Sequence, residues 1–145
     1  MADPYDLERF VTAQDEGGTY HQALAELRQG AKRSHWMWFV FPQLAGLGHS
    51  ATARRYAITS LEEARAYLRH PLLGPRLLES AEAVAGIAGR SAGQIFGSTD
   101  EKKLRSSITL FLRAAPDEAV FQRLLDQYFE GLPDTATDQL LEENP

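Results

Sequence analysis

The sequence predicts an all-α protein: a compact, multihelical single domain with a buried aromatic central segment. Helix-start residues followed by apolar residues at three- and four-residue spacing recur along the chain. Glycine or proline separates these stretches at short intervals. Only residues 36–41 have the aromatic and β-branched composition of a strand, and a lone strand has nothing to pair with.

Capping and stop signals place the first two helices. Asp3 and Pro4 supply an N-cap and a first helical residue, and a glycine pair at 17–18 ends that helix. Thr19 can cap the second helix, and Gly30 supplies its stop.

The aromatic segment follows. Ser34 can cap a short helix over residues 35–41, which Pro42 ends because the residue before a proline avoids the α conformation. A helix that is apolar on all sides suits a central, buried position. The sequence favours this helix over a strand but leaves the choice open.

Three further helices are expected in the middle of the chain. Ser50 opens the first, and residues 60–63 (Ser-Leu-Glu-Glu) form a capping-box pattern that starts the second. His70 and Pro71 separate the second from an apolar stripe over residues 73–84.

The last third of the sequence predicts four more helices. Ser91 starts a short one that ends near Gly97, and Thr99 or Asp100 caps a long one with an apolar stripe. A helix then begins at residues 116–117, and a final short one covers residues 135–141.

Composition limits the class of protein. A chain of 145 residues, 43% of them hydrophobic, favours one domain, 1–145, with an ordered core over about 3–141. The formal net charge of −5 argues against general nucleic-acid binding and against an anionic membrane surface as partner. There is no cysteine, and the four histidines lack ligand spacing, so we expect no metal and no other cofactor. With no signal-peptide pattern and no apolar run of about 20 residues, a cytoplasmic protein is expected.

The richest candidate site is residues 32–43, in which both tryptophans lie. Lys32, at the start of a capped helix, could bind a phosphate or carboxylate, although a solvated loop is the simpler interpretation. His35 suits proton transfer, or is a packed core histidine. Trp36 and Trp38 could stack on a ring or lie wholly in the core, and Gln43 could hydrogen-bond a nucleobase or only cap a turn.

A second polar group lies at residues 100–109. On a helix Asp100, Lys103 and Ser107 share one face beside an apolar stripe, where a pocket wall could form. Lys103 could hold an anionic group, Asp100 could act as a base, and Ser107 could pair with Lys103 as a nucleophile. A cap, an ion pair and tolerated hydroxyl groups are the alternative.

Six stretches together resemble bacterial domain-of-unknown-function family 1810. They are residues 3–14, 32–43, 46–50, 56–58, 67–77 and 100–111. The resemblance extends from about Asp3 to Leu140 and implies a small, mostly helical, single-domain protein with no established activity. The resemblance also strengthens, as site candidates, the polar residues of these stretches that folding does not need: Lys32, His35, Gln43, Asp100, Lys103 and Ser107.

Two weaker associations accompany this family. Members sometimes carry the label calpastatin, but the chain does not look like that inhibitor, whose active regions are long, polar and disordered. The family is also faintly similar to the NADAR proteins, helical domains linked to ADP-ribose and N-glycoside chemistry.

Two functions remain open at this point. One is an aromatic and basic pocket that binds or hydrolyses a small nucleotide-like or ADP-ribose-like ligand, with Asp100 or His35 activating water for N-glycosidic hydrolysis. The other is a non-catalytic protein-interaction module whose aromatic cluster is purely core. The sequence decides neither catalysis nor oligomeric state.

Overall fold

The chain is all-α, as predicted, in a computed structural model that describes residues 3–143. The helices are α1 Glu8–Asp15, α2 Thr19–Arg28, α3 Met37–Val40, α4 Ala51–Arg55, α5 Leu61–Arg69, α6 Leu73–Ala85, α7 Ala92–Ala114, α8 Ala119–Tyr128 and α9 Thr135–Glu143. A 3₁₀ turn, Glu16–Gly18, joins α1 to α2. Among residues 3–143 the only β pairing is an isolated parallel bridge between Leu44 and Ile58.

Four helices build the centre of the core. α8 packs on both α6 and α7, and α5 packs on the same two helices. Aromatic rings connect these layers: Tyr67 lies 5.1 Å from Phe10 and 5.4 Å from Phe111, whose ring stacks 6.1 Å from Phe121. All four rings are fully buried, so the predicted buried aromatic cluster is confirmed and extends well beyond residues 36–41.

The aromatic segment is helical, but its helix is shorter than predicted. α3 is a single turn because Trp36 and Phe41, at φ −136° and −127°, leave the α conformation. The predicted cap at Ser34 is wrong, because the Ser34 hydroxyl donates to the carboxylate of Glu26 instead. Trp36 takes the N-cap position without a side-chain cap.

Several predicted caps are confirmed. Ser50, Ser60 and Ser91 each accept the backbone N–H three residues on, and Ser91 completes a capping box with Gln94. The box at Ser60 is half formed, since the Glu63 carboxylate bonds elsewhere.

Other predicted starts are wrong by a few residues. Gly18, rather than Thr19, is the N-cap of α2. The carboxylate of Asp3 does accept the N–H groups of Leu7 and Glu8, but α1 begins only at Glu8.

Asp100 does not cap a helix. α7 runs through it from Ala92, bent at Gly97, whose φ of 84° and ψ of 164° suit only glycine. The short helix from Ser91 and the long one after it are therefore two arms of one bent element. No helix within residues 3–143 is long and apolar enough to cross a membrane.

Candidate functional site

The two candidate segments meet in space at a charge cluster. The ammonium of Lys32 lies 2.8 Å from one carboxylate oxygen of Asp100, and that of Lys103 lies 3.4 Å from the other. The side chains of Lys32 and Asp100 are only 7% and 19% exposed, so water screens their pair weakly. Two ammonium groups against one carboxylate leave one net positive charge.

Each lysine of the cluster also lies over an indole ring. Lys32 is 5.1 Å from the ring centroid of Trp36, and Lys103 is 4.6 Å from that of Trp38. Cation–π contacts at this range contribute about 0.5–2 kcal/mol, more when desolvated. The cluster therefore fixes the positions of both tryptophans relative to α7.

Glu26, in α2, fixes the start of the aromatic segment by hydrogen bonds. Its carboxylate accepts the backbone N–H groups of Arg33 and Ser34, the Ser34 hydroxyl and the Trp36 indole N–H. Burial alone would raise the pKa of Glu26, but these hydrogen bonds outweigh it and lower the pKa to about 2. The loop leading into α3 is thus held by a carboxylate that is ionised at neutral pH.

A cleft of about 170 Å³ opens beside Trp38. The bridge between residues 44 and 58 forms its frame, where the Ala45 N–H donates to the Ile58 carbonyl and the Ile58 N–H to the Gln43 carbonyl. Residues from three stretches of chain line it: Trp38, Gln43, Leu44, Ala45, Gly46, Gly48, Ala53, Arg54, Tyr56, Ala57 and Thr59. Trp38 and Gln43 are both sequence-predicted ligand contacts.

The wall of this cleft is fixed by Arg9. The Arg9 guanidinium donates to the carbonyls of Arg55 and Ala57 and forms a 3.0 Å ion pair with Glu63. Glu63 in turn accepts the backbone N–H and the hydroxyl of Thr59. The Glu63 side chain is 2% exposed, so the wall over residues 55–59 rests on a buried, fully satisfied network.

Six of the eight predicted site residues do not line this cleft. Trp36 is fully buried beneath the loop, whereas His35 is exposed to solvent. Ser107 is fully buried with its hydroxyl lacking a hydrogen-bond partner, so neither Lys103 nor any other base within residues 3–143 is placed to activate it. Lys103 lies over the Trp38 ring, yet neither Lys32 nor any residue from 100 to 107 lines the cleft.

Sequence reasoning missed the residues of the opposite wall. Arg54, Tyr56 and Thr59 line the cleft, and Arg9 and Glu63 support it. A signal was present for Tyr56, because the resemblance to family 1810 includes residues 56–58, but Arg54, Thr59 and Glu63 lie outside the resembling stretches.

Comparisons with other proteins agree with this architecture. The structure is similar to the crystal structure of the conserved hypothetical protein Rv1873 from Mycobacterium tuberculosis, at a TM-score of 0.94 and 54% sequence identity. The similarity covers 97% of this chain and 99% of that one. No curated protein sequence matches the chain. The similarity to Rv1873 supports neither the likeness to the NADAR proteins nor the calpastatin label.

The family described as "Protein of unknown function (DUF1810)" matches residues 4–141. Because that match spans nearly all of the sequence, the chain belongs to the DUF1810 family.

Proposed function

We propose that the cleft beside Trp38 binds a small, anionic, ring-bearing ligand of the nucleotide-like or ADP-ribose-like kind. The observation that carries this proposal is the placement of Trp38, which lines the cleft and also lies beneath the ammonium of Lys103. Tyr56 and Gln43 complete an aromatic and polar lining. Aromatic side chains on which a base can stack are worth about 1–3 kcal/mol per base.

The size of the cleft limits what it encloses. Pockets for drug-sized ligands measure about 300–1,000 Å³, whereas this cleft measures about 170 Å³. It therefore suits the ring of such a ligand, while the sugar and phosphate lie at the rim. The net positive charge of the Lys32–Asp100–Lys103 cluster, next to Trp38, favours an anion there.

Binding is better supported than hydrolysis. A general base must lie within hydrogen-bond reach of the proton it removes. Asp100 is paired with two ammonium groups and does not line the cleft. N-glycosidic hydrolysis would need a ligand, or a water molecule, to displace Lys103 from Asp100 first.

The alternative, a protein-interaction module, is favoured by Trp36 alone, which is wholly core. Leu132 is the one large hydrophobic side chain that is exposed within residues 3–143, which offers little for an apolar interface. Small-molecule binding is therefore the conclusion that the geometry supports best.

A thermal-shift screen tests the proposal. The protein is heated with each of the common nucleosides, their 5′-monophosphates and ADP-ribose, and at least one is expected to raise the melting temperature. Trp38→Leu should abolish that shift, and Trp38→Phe should keep part of it because a ring remains.

The matched control is a pair of neighbouring lysines. Lys103→Met should weaken the ligand-induced shift, whereas Lys102→Met removes the same charge from an exposed position and should leave it unchanged. If no compound shifts the wild-type protein, or if Trp38→Leu responds like wild type, the proposed site is wrong.

A further inference from the structure

A second cleft adjoins the first. It measures about 410 Å³ and lies between the turn at residues 4–6, Arg9, the end of α4 and Glu63. Arg54, Ala57 and Thr59 line both clefts. Arg54 can therefore contact both a ring in the first cleft and a group bound in the second.

The end of α4 presents two arginines at this junction. The side chains of Arg54 and Arg55 are exposed, and Arg55 lies 5.5 Å from the ring centroid of Tyr56. Six other arginines form ion pairs within residues 3–143, at positions 9, 28, 65, 76, 113 and 123. Arg54 and Arg55 form none there, so their charges remain available to a ligand.

The acidic groups nearby do not cancel these charges. Glu63 is compensated by Arg9 and by the hydrogen bonds from Thr59. Asp6 is the remaining carboxylate on the lining, against two uncompensated guanidinium groups. The second cleft therefore favours an anion although the chain as a whole carries a net charge of −5.

The backbone beneath the two arginines is held rigidly. The Arg9 guanidinium donates to the carbonyl of Arg55 at 2.8 Å and to that of Ala57 at 2.8 Å. Prior ordering of a binding segment lowers the entropy that a ligand must offset. Guanidinium groups on a fixed backbone suit phosphate, whose oxygens accept two parallel N–H donors.

We infer that the ligand is a nucleoside diphosphate, whose phosphates pass over Arg54 into the second cleft and are bound by Arg54 and Arg55. This inference rests on the function proposed above, because the ring must lie at Trp38 for the phosphates to reach the junction. It assigns phosphate binding to Arg54 rather than to Lys32 or Lys103, neither of which lines either cleft.

Isothermal titration calorimetry tests the assignment on the intact chain. With the base that gives the largest thermal shift, the nucleoside, its monophosphate and its diphosphate are each titrated into the wild-type protein and Arg54→Met, Arg55→Met and Lys102→Met variants. Affinity should rise with each phosphate, and the diphosphate should bind at least about tenfold more tightly than the nucleoside.

The variants separate the two proposals. Arg55→Met, at a residue that lines only the second cleft, should weaken diphosphate binding about tenfold or more and nucleoside binding less than about twofold, because only the phosphate loses a partner. Arg54→Met should also weaken diphosphate binding more than nucleoside binding, and Lys102→Met, an exposed charge outside both clefts, should have no effect. The melting temperature of each variant confirms that it is folded.

Two results would overturn the inference. If nucleoside and diphosphate bind equally, or if Arg54→Met leaves diphosphate binding unchanged, the phosphate assignment is wrong while the ring site at Trp38 stands. If neither compound binds any variant or the wild type, the proposed function falls and this inference falls with it.

Discussion

The ammonium of Lys32 lies 2.8 Å from the carboxylate of Asp100, although Lys32 precedes α3 and Asp100 lies within α7. This contact joins the segment that carries both tryptophans to α7, the longest helix of the described chain.

Asp100→Asn should lower the free energy of unfolding by about 1–3 kcal/mol, because the nearly buried Lys32 ammonium loses its counter-charge. Lys103→Met should cost less than about 1 kcal/mol, since Lys103 is more exposed and its pair is longer. Urea unfolding measures both. The double variant Lys32→Met/Asp100→Leu should be more stable than Asp100→Asn; a less stable double variant would contradict this account.

The lowered pKa of Glu26 predicts that the folded chain loses stability at acid pH. Its pKa falls from an ordinary 4.5 to about 2 in the folded chain. A carboxyl whose folded pKa is depressed stabilises the fold fully above its unfolded pKa and ceases to do so as pH falls through the folded value. The contribution, up to about 3 kcal/mol, should therefore disappear between pH 4.5 and pH 2.

Glu26→Gln tests this window, because an amide cannot accept all four donors and does not titrate. Its unfolding free energy should be lower than that of wild type at pH 7 and should converge with it near pH 2. Glu16→Gln, at an exposed position, is the matched control. A constant difference between Glu26→Gln and wild type across pH 2–7 would show that the charge is not responsible.

Arg9→Lys should disorder the wall of the cleft. Lysine keeps the charge but cannot donate at once to the carbonyls of Arg55 and Ala57 and to Glu63. We expect a loss of about 2–4 kcal/mol in unfolding free energy and weaker ligand binding. Arg65→Lys, in the exposed Arg65–Glu62 pair, should change neither quantity measurably.

Ser107→Ala should leave stability unchanged or raise it slightly. The Ser107 hydroxyl is buried without a hydrogen-bond partner, so its removal deletes an unsatisfied polar group. The adjacent Ser106 hydroxyl donates to the Lys102 carbonyl, and Ser106→Ala should cost about 0.5–1.5 kcal/mol. Thermal and urea denaturation compare the two variants, and loss of ligand binding in Ser107→Ala alone would restore Ser107 as a site residue.

The helices that could be predicted were those whose start is a local event. Ser50 and Ser91 cap helices because the hydroxyl needs only an N–H three residues away. Ser34 and Asp100 have the same local chemistry, yet each bonds a distant partner: Glu26 holds Ser34, and Lys32 holds Asp100. A rule confined to neighbouring residues contains no information about such partners.

The candidate site could be predicted only in part for the same reason. Trp38 and Gln43 were identified because an aromatic run is visible in the sequence itself. Arg54 and Tyr56 reach the same cleft only because the bridge between Leu44 and Ile58 folds the chain back on itself. A contact between two single residues has no periodicity, so no sequence pattern predicts it.

The bend at Gly97 has a mechanical consequence. The arm before the bend accepts the backbone N–H of Lys32 at the carbonyl of Ile95, and the arm after it carries Asp100. No atom lies within 4 Å of where a Cβ at position 97 would be, so the requirement for glycine comes from the backbone conformation alone. That conformation lets the two arms of α7 approach Lys32 together, one at its backbone N–H and the other at its ammonium group.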